Sequence, residues 1–334
     1  MRSPADKWDA RPTDPAWQPT PKALHPAPRS RSKGRKPPLF CRWTSLASAL
    51  GAFARHRGKV QSLGHILPLH WYVACRLVVE GGFAPDDIRP RPPFALEEIG
   101  DGEAILHFDP ELGGSGEGIV LGALKAKHMD VLVTSERIGP VLAVSCKGVT
   151  GALRNLGNRL EEIIGENTNL HMTYPALVLA HLILVRMDKP PSSHVRRPLA
   201  RDIRQAWLDL PDEEKCIGER LAPAIRRFVM GLEDLSQRRA VFDQPARCEA
   251  ALLARIENGD PASQASSSCS LDPVAGRLDD LFASLYQAYD ERFTLRSPEL
   301  ARVLRRRHWC AHSPGLRLFG LDYRARVRPE GDRS

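Results

Sequence analysis

Residues 129–147, with the helix after them, decide how this chain is read: Met129-Asp130-Val131-Leu132-Val133, a connection Ser135-Glu136-Arg137-Ile138-Gly139-Pro140, then Val141-Leu142-Ala143-Val144-Ser145-Cys146-Lys147, and later Arg159-Leu160-Glu161-Glu162. Two apolar runs rich in valine flank a turn, the pattern of a β-hairpin. An acid opens the first strand and a lysine closes the second. Antiparallel pairing therefore lets Asp130, Ser145 and Lys147 converge. Ser145 and Lys147 are two apart and share a strand face, whereas Cys146 points the other way, to the core.

The period then changes. From about Gly151 to Ile164 the apolar residues Leu153, Leu156, Leu160 and Ile163/Ile164 fall three and four apart, which predicts an amphipathic helix. Tyr174–Met187 is dense in apolar groups and reads as a buried helix or strand.

An acid and a lysine brought together on a sheet suit phosphodiester hydrolysis. That reaction uses a hard cation, usually Mg²⁺, to polarise the phosphate and acidify a water. Mg²⁺ takes oxygen ligands, and one or two carboxylates hold it. A neighbouring lysine orients the water or stabilises developing charge.

On these residues the sequence resembles the PD-(D/E)xK nuclease superfamily, whose motif is an Asp followed, on the next strand, by Asp/Glu-x-Lys. Met129 stands where that motif has proline, and Ser145 where it has the second carboxylate. The pattern is similar to the CCGG-type branch of type II restriction endonucleases, in which Ser/Cys-x-Lys is completed by a Glu from the following helix. Glu161 lies 14 residues after Lys147, the spacing of that branch, and Glu162 is the near-equal alternative. The resemblance implies a metal held by Asp130 and Glu161 or Glu162, Lys147 at the attacking water, and Ser145 as a weak substitute. It further implies an acid from an early helix, a place matched by Glu80. The fold expected is α/β: a restriction-endonuclease-like core with a central mixed sheet flanked by helices, and a helix-rich C-terminal half.

Working outward, residues 44–57 read as a helix, and a second, densely apolar helix runs from about Leu69 to Glu80, stopped by Gly81-Gly82. A proline-punctuated connector follows, then strands at Ala104–Phe108 and Ile119–Leu121 with the glycine-rich turn Gly113–Gly118 between them. That turn lacks the Gly-Lys-Ser/Thr ending of a phosphate-binding loop. Beyond residue 190 the pattern predicts helices at about 200–209, 213–239, 246–257 and 275–294, a Ser-rich loop at Ala262–Ser270, and an edge strand within Leu316–Val327. The expected organisation is a basic tail (1–40), a nuclease core with its N-terminal helices (41–190) and a mainly helical region (191–334) that can belong to the same domain. His65 and His70, five apart, do not share a helix face and read as core or surface histidines.

Composition sets the outer limits. The chain has 334 residues, 42% of them apolar, enough for a sizeable core. Its net charge of +8 comes from the ends. Residues 1–40 hold nine Lys/Arg, three Asp and nine of the 28 prolines, a composition expected of a disordered basic tail. Residues 301–334 hold nine Arg and three acids, while the stretch between carries 30 basic and 34 acidic groups. No apolar run reaches the length of a membrane span, and no secretory signal is recognised at the N-terminus. Seven scattered cysteines without a Cys-x-x-Cys pair predict free thiols in a reducing cytoplasm and no zinc ribbon.

The expectation is thus a cytoplasmic, Mg²⁺-dependent endonuclease acting on DNA, resembling type II restriction-modification enzymes, with a homodimer expected by analogy. Arg159 and the run Arg305-Arg306-Arg307 are the candidate DNA contacts. Two competing expectations are a nucleic-acid-binding protein without catalysis and a nuclease of repair or phage defence.

Overall fold

The computed structural model describes residues 39–56, 63–100, 102–149, 156–186, 223–256 and 272–328. These residues form a mixed α/β structure around a five-stranded sheet. In chain order the elements are α1 (Leu46–Arg55), α2 (Leu67–Val79), β1 (Ile88–Arg89), β2 (Phe94–Gly100), β3 (Glu103–Phe108), β4 (Gly118–Leu121), β5 (Ala126–Met129), β6 (Val131–Ser135) and β7 (Gly139–Val149). Then follow α3 (Leu156–His171), β8 (Val178–Arg186), α4 (Pro223–Leu235), β9 (Ala250–Ile256), α5 (Asp272–Asp290), α6 (Pro298–Leu304), β10 (His308–Trp309) and α7 (Pro314–Arg317).

The main sheet has the order β1-β6-β7-β8-β9. β6 and β7 form the expected antiparallel pair, with Val131 opposite Val144. α3 then carries the chain over to β8, which runs parallel to β7 with Ser145 opposite His181 and Lys147 opposite Ile183. A parallel neighbour requires such a crossover. β9 extends the sheet, parallel to β8.

Side chains alternate between two layers. Val144, Cys146, Leu182, Leu184, Leu252 and Ala254 pack with α1, α2 and α5, while Ile183, Val185 and Leu253 pack with α3 and α4. Residues 182–185 are at most 1% exposed. Both faces of β8 are covered, which is why the strand is a continuous apolar run rather than an alternating one.

Two smaller sheets stand beside the main one: β4 with β5, and β2 and β3 with β10. α1 starts at a Ser45 side chain that accepts from the Ser48 N–H at 3.2 Å. α2 ends before Gly82, whose φ of +74° lies in the left-handed region. A Cβ at Gly82 would also stand 2.2 Å from the Arg307 carbonyl oxygen. That contact is close because the C-terminal segment caps α2. The Trp309 indole N–H donates to the Val78 and Val79 carbonyls at 3.0 and 2.9 Å, and the Arg326 N–H to Val79 at 2.9 Å.

Several expectations are corrected here. Residues 246–257 hold a strand, β9, and not a helix. The sequence Ala-Ala-Leu-Leu-Ala has helical propensity, but a short apolar run can be either element, and burial on both faces makes it a strand. Phe94–Gly100, read as connector and loop, pairs with β3. Leu316–Val327 is no edge strand: it has one helical turn (α7) and a single bridge from Val327 to Trp309. Tyr174–Met187 resolves to the strand β8, and α3 continues through Gly165 to His171. The C-terminal region supplies β9 to the central sheet, so residue 190 divides no separate layer. Residues 1–38, 200–209 and 262–270, along with Cys216 and Cys269, lie outside the described residues; the five described cysteines are all free. Among the described residues no helix is long and apolar enough to cross a membrane.

Candidate active site

Asp130 sits between β5 and β6, where the chain leaves the β4–β5 hairpin and enters the main sheet. Its carboxylate replaces a ladder acceptor: Oδ2 accepts the Cys146 backbone N–H at 2.7 Å. The Ser145 hydroxyl donates to the same oxygen over a long 3.5 Å. Lys147 Nζ lies 3.7 Å from it. The three residues expected to converge do so, because each is placed by the local pairing of β6 and β7.

Both helical layers reach this point. From α2, His70 Nε2 stands 3.6 Å from Asp130 Oδ1. His70 is fully buried, and neither ring nitrogen has a hydrogen-bond partner among the described residues. From α3, Glu166 Oε2 lies 3.9 Å from Lys147 Nζ and 2.5 Å from Lys127 Nζ. Glu166 is 4% exposed, and behind it His181 is wholly buried. The Asn167 amide donates to the Ala246 carbonyl at 2.8 Å, which turns its oxygen toward His181. His181 therefore donates through Nε2, at 2.7 Å.

The charges follow from these neighbours. Burial opposes the charge on Lys147, but Asp130 and Glu166 outweigh it and raise its pKa above the ordinary lysine value. Lys147 is thus a fixed cation and not a general base at neutral pH. Burial disfavours an ionised Glu166, yet His181 and the two lysines lower its pKa overall. Burial also pushes His181 down to about 4, so at neutral pH it is uncharged and the lysines do the holding. Burial and the Asp130 charge push the Glu117 carboxyl up.

Glu117, at the end of the glycine-rich turn, is the third member of a cluster with His70 and Asp130. One donor atom of each lies within 4.8 Å of the others. Two carboxylates beside an unpartnered imidazole fit a divalent cation: the carboxylates repel without one, and the buried nitrogen lacks a partner without one. An imidazole in the set favours a transition metal such as Mn²⁺ over Mg²⁺, which prefers oxygen alone.

The other expected site residues are elsewhere. Glu161 is exposed, and Glu162 is tied to Arg159 by an ion pair. Glu162 still contributes to the charge around Lys147. The α3 carboxylate that reaches the lysine is Glu166, one turn beyond Glu162 on the same helical face. Glu80 is ten residues after His70 on α2, about 15 Å along the axis. Both its oxygens are engaged there, by Arg76 and by the Tyr286 hydroxyl. Arg306 is buried and paired with Asp290, and Arg307 is paired with Glu98, so neither is an open phosphate contact. Arg305 is exposed. Arg159 is engaged by Glu162.

Sequence reasoning missed His70, Glu117 and Glu166. A signal existed for His70: a polar ring on a helix apolar all round must find a polar partner inside. No signal marked Glu117, which lies in a turn. Compared with protein-family models, curated proteins and solved structures, the chain matches none.

Proposed function

We propose that the protein is a divalent-metal-dependent endonuclease that hydrolyses DNA phosphodiester bonds, on a restriction-endonuclease-like core. The observation that carries this reading is the 3.7 Å approach of Lys147 to Asp130 where the antiparallel pair β6–β7 begins, with α3 returning a carboxylate to the same lysine. The order α2, β6, β7, α3, β8 supports the core assignment. Asp130, Glu117 and His70 are the residues that would hold the cation. A bound divalent ion supplies a Lewis acid for the phosphate and lowers the pKa of a water. Lys147, kept charged by Asp130 and Glu166, offers ammonium protons to the attacking water or to the charge that grows on phosphate. Ser145 and the Cys146 N–H hold Asp130 in place. Glu166 positions the lysine and touches no reacting atom.

The test is cleavage of plasmid, phage and single-stranded DNA with Mg²⁺ and with Mn²⁺, with fragment ends sequenced. Scission by the wild type and its loss in Lys147→Ala support the proposal. Intact DNA in every combination would sink the nuclease reading, and wild-type cleavage by Lys147→Ala would sink the assignment of the site.

A further inference from the structure

At the end of α2 remote from His70 lies a second feature, a groove of about 730 Å³ between the last turn of α2, α5 and residues 321–326. Three carboxylates line it, and each is engaged. Glu80 and Asp279 are held by Arg76, and Asp322 Oδ2 accepts the Leu46 N–H at 2.7 Å. Arg306 is likewise spent, on Asp290 and the Gly81 carbonyl.

Two arginines remain. Arg324 is exposed and makes no ion pair with a described residue. Arg326 is half-buried, its Nε is sealed from water, and that nitrogen has no hydrogen-bond partner among the described residues. A buried donor left unmade costs about 1–3 kcal/mol. The surroundings do not neutralise Arg326 either: burial and the nearby Arg306 and Arg305 lower its pKa, with Asp290 the opposing acid. Donors are therefore in excess over acceptors, which calls for an anion.

The aromatic residues narrow the choice. Arg306 covers the Tyr286 ring at 4.6 Å and Arg76 the Tyr323 ring at 5.1 Å. Those covered faces offer no platform for a base, so the groove presents guanidinium forks that match phosphate and carries no means of reading sequence. We propose that this groove holds backbone phosphate of a nucleic-acid strand through Arg324 and Arg326. The inference rests on the nuclease reading only in choosing a polymer over a free phosphate compound.

The test is binding of a fluorescein-labelled single-stranded oligonucleotide, followed by anisotropy in EDTA across a salt series. Because no hydrolysis occurs under these conditions, a failure of the nuclease reading leaves the result untouched. The double variant Arg324→Glu/Arg326→Gln is expected to bind about tenfold more weakly, with a salt slope smaller by about 1. Arg137→Glu, at the exposed β6–β7 turn, is expected to keep both values. Should the Arg326 change disturb folding, Arg324→Glu alone is expected to weaken binding by about threefold. Wild-type affinity and slope in the folded variants would overturn the proposal. So would displacement of inorganic phosphate or a nucleoside monophosphate from this groove with no oligonucleotide bound at all, which would assign it to a free phosphate compound.

Discussion

The ammonium of Lys147 lies 3.7 Å from Asp130 Oδ2, an oxygen also held at 2.7 Å by the backbone N–H of Cys146. The lysine is therefore not needed to keep Asp130 in place. Lys147→Ala should leave the thermal midpoint close to wild type, since Lys127 still pairs with Glu166, while lowering kcat by about 10²–10³. Differential scanning fluorimetry and single-turnover cleavage check the two halves. A large loss of stability with unchanged cleavage would make Lys147 a structural cation.

The nitrogen donor of His70 predicts metal preference. Mn²⁺ should bind more tightly than Mg²⁺, read by electron paramagnetic resonance of free Mn²⁺ and independent of turnover. His70→Asn should weaken Mn²⁺ by about tenfold or more and Mg²⁺ by less. Asp130→Asn should abolish both. Undiminished Mn²⁺ affinity in His70→Asn would remove the histidine from the ligand set.

His181 sets an acid limit. Its folded-state pKa is lowered to about 4, below the unfolded value near 6.5. Below 6.5 the unfolded chain takes up a proton that the native chain refuses. Stability is thus complete above that pH and declines as pH falls toward 4, by about 3 kcal/mol at most. Urea midpoints measured from pH 7 to 4 should show this decline, and His181→Asn should flatten it. His171 and His70, also lowered by burial, act in the same direction and leave a residual slope. An unchanged slope in His181→Asn would place the acid sensitivity elsewhere.

Glu249 is the node that ties the C-terminal half to the sheet. It accepts from Arg238 at 2.9 Å, from Arg292 at 2.6 Å and from the Leu179 N–H at 2.6 Å, all of them buried. Glu249→Ala strands two buried guanidinium groups and should cost about 3–5 kcal/mol. Chemical denaturation measures it. A loss below about 1 kcal/mol would mean that water enters and solvates both arginines.

The hairpin was legible because its signals are local: apolar runs, a Gly-Pro turn and the alternation of faces place Asp130, Ser145 and Lys147 together without knowledge of anything distant. What failed depends on distance or rotation. Glu166 lies past Gly165, where the amphipathic pattern breaks, and choosing among Glu161, Glu162 and Glu166 needs the rotation of α3 against the sheet. β9 is a strand only because β8 and two helical layers enclose it, and Ala250–Ile256 carry no trace of that. The arginines at 305–307 read as an open basic run because their partners, Asp290 and Glu98, come from other parts of the chain.

The late arrival of β9 bears on biosynthesis. Leu179 and Glu249 are in contact across 70 positions, so β8 emerges from a ribosome well before the strand that covers its edge. At common rates of synthesis the interval is about 4–14 s. During that time an apolar strand has one row of backbone donors and acceptors open, a template for pairing with another nascent chain. Yield at high expression should therefore be limited by aggregation of incomplete chains, and a slower translation rate through residues 187–249 should lower it further by prolonging the exposure.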